Sequence, residues 1–219
     1  MSDVRGRGAV VLPLVGLAWV ALAAVGAAAG VFERSVGSPP IRVALAAGVP
    51  VLVVGLALLS SGRFRAWARS LDLTLLVVMQ GWRVAGFVFL AYYAVGLLPA
   101  GFALPAGIGD LVVGLAAPFV ARRLDRGRGW FLAWTVFGVL DFVVAVTLGA
   151  MHDVGASGVL ADGTVLTAPM AHLPLVLIPT AAVPFLTIVH MLSLVRAYGT
   201  GGRMSEYQGL RPARAPMAG

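Results

Sequence analysis

At 219 residues, 60% hydrophobic and 11% charged, the chain lacks the polar surface of a soluble domain, which carries roughly a quarter charged residues. Cysteine is absent, which excludes disulfides, thiolate catalysis, cysteine-ligated zinc and iron–sulfur clusters; lysine is absent too, which excludes a Schiff base. The net charge of +7 comes from arginines scattered along the chain rather than gathered in one basic patch, so it points to anionic lipid headgroups and away from nucleic acid.

Six apolar stretches divide the sequence. The first, residues 9–29, follows Arg5 and Arg7 and ends in Ala27, Ala28 and Ala29. That pattern has the look of a signal peptide, but a run of about 21 apolar residues exceeds the usual 7–15, so it reads as a span. Gly26 and Gly30 form a small-xxx-small pair that suits close helix approach. The second stretch, residues 43–59, is at the lower limit for crossing a bilayer and contains Pro50. Arg63, Arg65 and Arg69 follow, with Trp67 among them, the pattern of a short helix lying on a membrane surface. The third stretch, residues 73–98, holds Gln80, Trp82 and Arg83, then the belt residues Tyr92 and Tyr93. The fourth, residues 104–121, carries Gly107, Gly109, Asp110, Gly114 and Pro118. The fifth, residues 130–150, has Asp141 in its middle. Asp162–Gly163 in the long connection after it predicts a small hairpin. The sixth, residues 173–195, contains Pro174, Pro179 and Pro184. Proline removes backbone donors and frees carbonyls one turn earlier, so this helix is expected to be kinked, with those carbonyls facing protein or a wet cavity.

The arginines orient the spans. Of sixteen, thirteen fall in the N-terminus, the second and fourth connections and the C-terminal tail. Arg34 and Arg42 fall in the first connection, and the third and fifth have none. By the positive-inside rule both termini are cytoplasmic. The remaining arginine, Arg83, lies inside a span and needs a partner, because it cannot shed its proton and a charge at mid-bilayer costs at least about 2.5–3.5 kcal/mol. Asp110 and Asp141 are the only carboxylates within the spans. At 1.5 Å per residue, all three lie roughly 15–18 Å from the inner ends of their spans. One arginine against two aspartates leaves a formal charge of −1, to be met by a proton, a cation or water. Gln80 shares a face with Arg83, and His190 lies near its depth, so a relay from His190 through Gln80 to Arg83 and the aspartates is geometrically allowed. The plainer alternatives are a cluster that only fixes helix order and a neutral His190 bonded to a carbonyl freed by proline.

His152 and His172 flank the fifth connection at the membrane edge. Their spacing matches no recurrent ligand pattern, and His190 is about 27 Å along its span from His172, so neither a metal nor a bis-histidine haem is expected. No G-x-S-x-G, H-E-x-x-H or P-loop is present. Gly107-Ile108-Gly109-Asp110 resembles the glycine–aspartate motif of intramembrane aspartyl proteases, which pair two aspartates on adjacent helices. The second aspartate departs from that pattern, sitting in Val139-Leu140-Asp141-Phe142 without the tyrosine–aspartate context. An adjacent arginine would also work against proton sharing.

The expected molecule is an all-α integral membrane protein of six transmembrane helices, N-in and C-in, with a kinked proline-rich sixth helix, in a bacterial-type inner membrane. Residues 1–197 form the transmembrane domain and 198–219 a basic, disordered cytoplasmic tail. Its expected role is binding or transport of a small solute, with or without proton coupling, through Arg83, Asp110 and Asp141, extended by Gln80 and His190. The alternatives are a structural or assembly subunit of a membrane complex and a membrane-embedded enzyme acting on lipid-like substrates. No cofactor is expected. The expected partners are the bilayer, anionic lipids at its cytoplasmic face, a solute or proton, and either a second copy or a membrane-complex subunit.

Overall fold

The computed structural model describes residues 2–33, 38–126, 128–153 and 165–199. Helix is the only regular structure among them: α1 (Ser2–Ala28), α2 (Ile41–Ser60), α3 (Gly62–Ser70), α4 (Leu73–Met79), α5 (Phe87–Ala94), α6 (Ala100–Ala121), α7 (Arg128–Met151) and α8 (Val183–Tyr198), with short 3-10 and π segments between. Six helical stretches are long and apolar enough to cross a membrane. The exterior matches that reading. Leu22, Val25, Leu52, Leu56, Trp82, Leu115 and Phe119 all stand exposed, a surface that lipid accommodates and water does not. The expected hairpin at Asp162–Gly163 and the tail beyond Gly199 lie outside the described residues.

Local sequence explains where the helices stop. Gly30 and Gly96 adopt φ of 73° and 74°, the left-handed conformation that glycine takes without strain. Each closes a helix in the same way. Val31 N–H donates to the Gly26 carbonyl and Gly30 N–H to that of Ala27; Leu97 N–H donates to Tyr92 and Gly96 N–H to Tyr93. These paired bonds satisfy carbonyls that a helix end leaves open. At the other end of the bundle, Arg65 Nη1 donates to the last carbonyls of α2, Leu58 at 2.8 Å and Leu59 at 2.7 Å. The Ser61 hydroxyl accepts from Phe64 N–H to start α3, and the Asp72 carboxylate accepts from Leu75 N–H to start α4. Thus α3, the short basic helix expected on the surface, is held by caps on both sides. Arg196 of α8 secures its far end by donating to the Leu71 carbonyl at 2.9 Å.

The third span is not one helix. It is α4, a seven-residue 3-10 segment over Gln80–Gly86, and α5. It packs with α6 and α8 to form the centre of the bundle, while α7 lies against α6 and α8. Leu76, Val77, Ala103, Val113, Ala117 and Val189 are completely buried there. Helix α2 is peripheral: it rests on α8 and on the π turn before it, and Leu58 is its one buried residue.

The sixth span begins later than its hydropathy predicts. Residues 173–176 form turns, and the span starts at Ile178 with a π turn (Ile178–Ala182) leading into α8. Pro179 sits in the first turn of the π segment, where a missing N–H costs little, whereas Pro184 begins α8 directly after that turn. Pro184 offers no N–H to the Thr180 carbonyl four residues earlier. Trp19 of α1 supplies the donor instead, its Nε1 lying 3.2 Å from that oxygen. The proline-freed carbonyl does face protein, as expected. Close approach of α1 occurs at Gly16, where a Cβ would lie 2.8 Å from the Phe185 ring. Gly26 and Gly30, the expected approach surface, instead close the helix end. Trp19→Phe keeps the ring contact with Phe185 and removes the hydrogen bond. It is expected to lower stability by about 1 kcal/mol, measured by denaturant titration in detergent.

Candidate functional site

The 3-10 segment sets up the site. With three residues per turn, Gln80, Arg83 and Gly86 stand in one file. Helix α6 comes close to this file because its facing residues are small. A Cβ on Gly114 would lie 2.7 Å from the Val84 nitrogen, and one on Gly107 would lie 3.3 Å from the Gly86 carbonyl oxygen. Two further glycines make room for carboxylates: a Cβ on Gly86 would run into the Asp110 side chain, and one on Gly109 would overlap Asp141 Oδ1.

Within this space Arg83 is gripped from three sides. Its Nε donates to Asp110 Oδ1 at 2.7 Å, Nη1 donates to the Gly138 carbonyl at 2.8 Å, and Nη2 donates to Asp141 Oδ2. Its Cζ stands 3.7 Å from the centre of the Phe142 ring, near enough for a cation–π contact. The Arg83 side chain is fully buried, while those of Asp110 and Asp141 keep 11% and 7% exposure. The third, fourth and fifth spans are therefore joined by one guanidinium. Gly138 and Phe142 did not appear among the sequence-derived site residues. Their one signal is position: Gly138 lies one turn before Asp141, and Phe142 directly follows it.

Gln80 and His190 are buried beside the cluster but do not continue it. Gln80 Nε2 donates to the Leu186 carbonyl at 2.9 Å. Gln80 Oε1 and both ring nitrogens of His190 have no hydrogen-bond partner among the described residues. The His190 ring stands edge-on to Trp134, 5.4 Å between centroids. It also covers Gly138, where a Cβ would lie 2.8 Å from His190 Nε2 and 3.2 Å from Arg83 Nη1. The relay that depth allowed from His190 through Gln80 to Arg83 is not a direct hydrogen-bonded chain here, and His190 does not bond a proline-freed carbonyl either. Aromatic packing holds it instead. Gln80→Leu is expected to change stability by less than about 1 kcal/mol, because it removes one hydrogen bond and one unpaired oxygen together. A thermal melt beside the parent would show it.

Above the cluster lies a cavity of about 180 Å³. Phe89, Phe102, Phe142 and Ala145 line it from α5, α6 and α7, Val43 and Ala47 from α2, and Asp110 reaches it from the cluster. Sequence periodicity gave no sign of this space. It arises because α2 packs on α8 and the π turn while α7 packs on α6, leaving the two helices as separate walls. No group of three or more histidines and carboxylates able to hold a metal gathers among the described residues. His152 Nδ1 lies 2.8 Å from the Leu148 carbonyl, and His172 borders a different groove beside Tyr92.

The sequence pattern of a family described as a domain of unknown function, DUF8737, matches residues 40–198. The chain belongs to this family. The DUF8737 segment runs from the start of α2 to the end of α8, so it contains Gln80, Arg83, Asp110, Asp141 and His190 and both walls of the cavity. Helix α1 lies before it. No curated protein and no solved structure matches the chain.

Proposed function

We propose that this DUF8737 protein spans a bacterial-type inner membrane six times, with both termini cytoplasmic, and binds or transports a small solute. The carrying observation is that Asp110 belongs at once to the ion cluster and to the cavity. A solute in that space would meet a carboxylate whose charge Arg83 shares with Asp141. The formal charge of −1 gives the site a means of exchanging a proton or cation as it fills. The arginine distribution supports the orientation, and it puts the basic helix α3 where anionic headgroups gather. The 3-10 segment and the π turn supply backbone that can rearrange beside the cavity.

The completeness of the Arg83 contacts favours a second reading, in which the cluster only fixes helix order and the protein is a structural subunit of a membrane complex. Thermal stability of Arg83→Gln, Asp110→Asn and Asp141→Asn, singly and combined, separates the two when the wild type is also screened against small solutes. Variants that stay folded but lose a solute-dependent shift seen in the wild type support solute binding. Destabilisation by Arg83→Gln, rescued by an aspartate change and with no solute shifting the wild type, supports the structural role.

A further inference from the structure

The chemistry of the cavity wall narrows the solute. Its charged side chains, among the described residues, are Asp110 and Asp153, and no arginine or histidine lines it. Apart from Thr167, whose hydroxyl donates to the Gly149 carbonyl at 2.7 Å, the wall between the carboxylates is apolar and aromatic. Phe89 and Phe102 stand edge to face, 5.3 Å between centroids, and Phe142 completes the aromatic side. Behind Asp110, the one guanidinium faces two carboxylates and leaves a formal charge of −1.

An anion would be repelled from the Asp110 end of the space. A neutral polar solute would lose hydrogen bonds to water against phenylalanine rings. A wholly apolar one would fit the walls and gain nothing from the aspartates. A compact organic cation satisfies both features, since ring faces attract cations and a single positive charge cancels the formal deficit. The space is comparable to an apolar cavity of about 150 Å³ that holds one benzene ring, which limits the ligand to about one ring or a short alkyl chain.

Resting on the solute-binding reading above, we propose that the ligand is a small lipophilic monocation, an amine or quaternary ammonium carrying one aromatic or short aliphatic group. Its charged head sits at Asp110 and its apolar part lies among Phe89, Phe102 and Phe142. Asp141 does not line the cavity and acts on the head only through the shared charge.

The test uses the full chain in phosphatidylcholine nanodiscs, which carry no net lipid charge to attract the probe. Radiolabelled benzyltrimethylammonium is the ligand. Neopentylbenzene, the same shape with carbon in place of nitrogen, and benzenesulfonate are the competitors. The expected result is saturable binding that neither competitor displaces at tenfold excess. Asp110→Asn should weaken it at least about tenfold, and Ala145→Leu, which fills the cavity without touching a charge, should abolish it. Displacement by neopentylbenzene at up to tenfold excess would show a site indifferent to charge. It would overturn the cation assignment while leaving solute binding standing. Displacement by benzenesulfonate would overturn it in the opposite sense. Absence of saturable binding by the wild type also overturns it. The broader solute-binding reading then stands or falls separately, on whether any other small solute shifts the melting temperature. The wild-type competition decides the matter even where a variant fails to fold.

Discussion

Arg83→Gln is expected to lower the stability of the folded protein by about 3–5 kcal/mol, the usual cost of removing one partner from a buried ion pair. The size of the effect comes from what remains. Glutamine cannot offer three separate N–H directions to Asp110, Gly138 and Asp141, so two carboxylates would be left close together with no cation between them. Each carboxylate removed should restore part of the loss. Arg83→Gln with Asp110→Asn and Asp141→Asn together should lie much nearer the parent than Arg83→Gln alone, because a neutral replacement of the whole set avoids the unpaired charge. Denaturant unfolding in detergent measures the series. A triple variant as unstable as the single one would mean that the energy lies in packing around Arg83 and not in its charge.

Gly109→Ala is expected to cost about 1–3 kcal/mol, although alanine is the better helix former by roughly 1 kcal/mol. The added methyl would occupy the position of Asp141 Oδ1. The carboxylate must turn away from Arg83 or α7 must move outward. Gly48→Ala on α2 is the matched control, since nothing lies within 4 Å of its added Cβ; it should be neutral or slightly stabilising. Combining Gly109→Ala with Asp141→Ala should be markedly non-additive, because the second change removes the group that the first one strikes. Additive losses would place the strain elsewhere on α6.

The span count, the short basic helix α3 and the residues of the ion cluster were legible because each rests on a local cost. Long apolar runs fix the first, alternating arginines and aromatics the second, and the expense of a lone buried charge the third. Counting residues along each span put Arg83, Asp110 and Asp141 at one depth, and the structure brings them into contact. Depth alone does not give rotation about the helix axis. That is why depth allowed Gln80 and His190, near the right level, a relay for which the structure shows no direct hydrogen bonds. The Gly138 carbonyl was beyond reach because a backbone acceptor leaves no mark in composition. The sixth span starts at Ile178 and not at residue 173 because hydropathy registers apolar side chains, and Leu173 to Val176 are apolar while their backbone turns. The cavity belongs to the gap between two peripheral walls, which no single segment encodes.

The 3-10 segment also governs the length and rotation of its span. A 3-10 residue rises about 2.0 Å and turns about 120°, against about 1.5 Å and 100° in an α-helix. Over the seven residues Gln80–Gly86, the difference amounts to about 3.5 Å of length and about 140° of rotation. Rewinding this stretch as α-helix would screw α5 inward while α4 stayed fixed, sweeping Phe89 around the axis and away from the cavity it now lines. Arg83, in the middle of the stretch and held by two other spans, indexes that screw at its present setting.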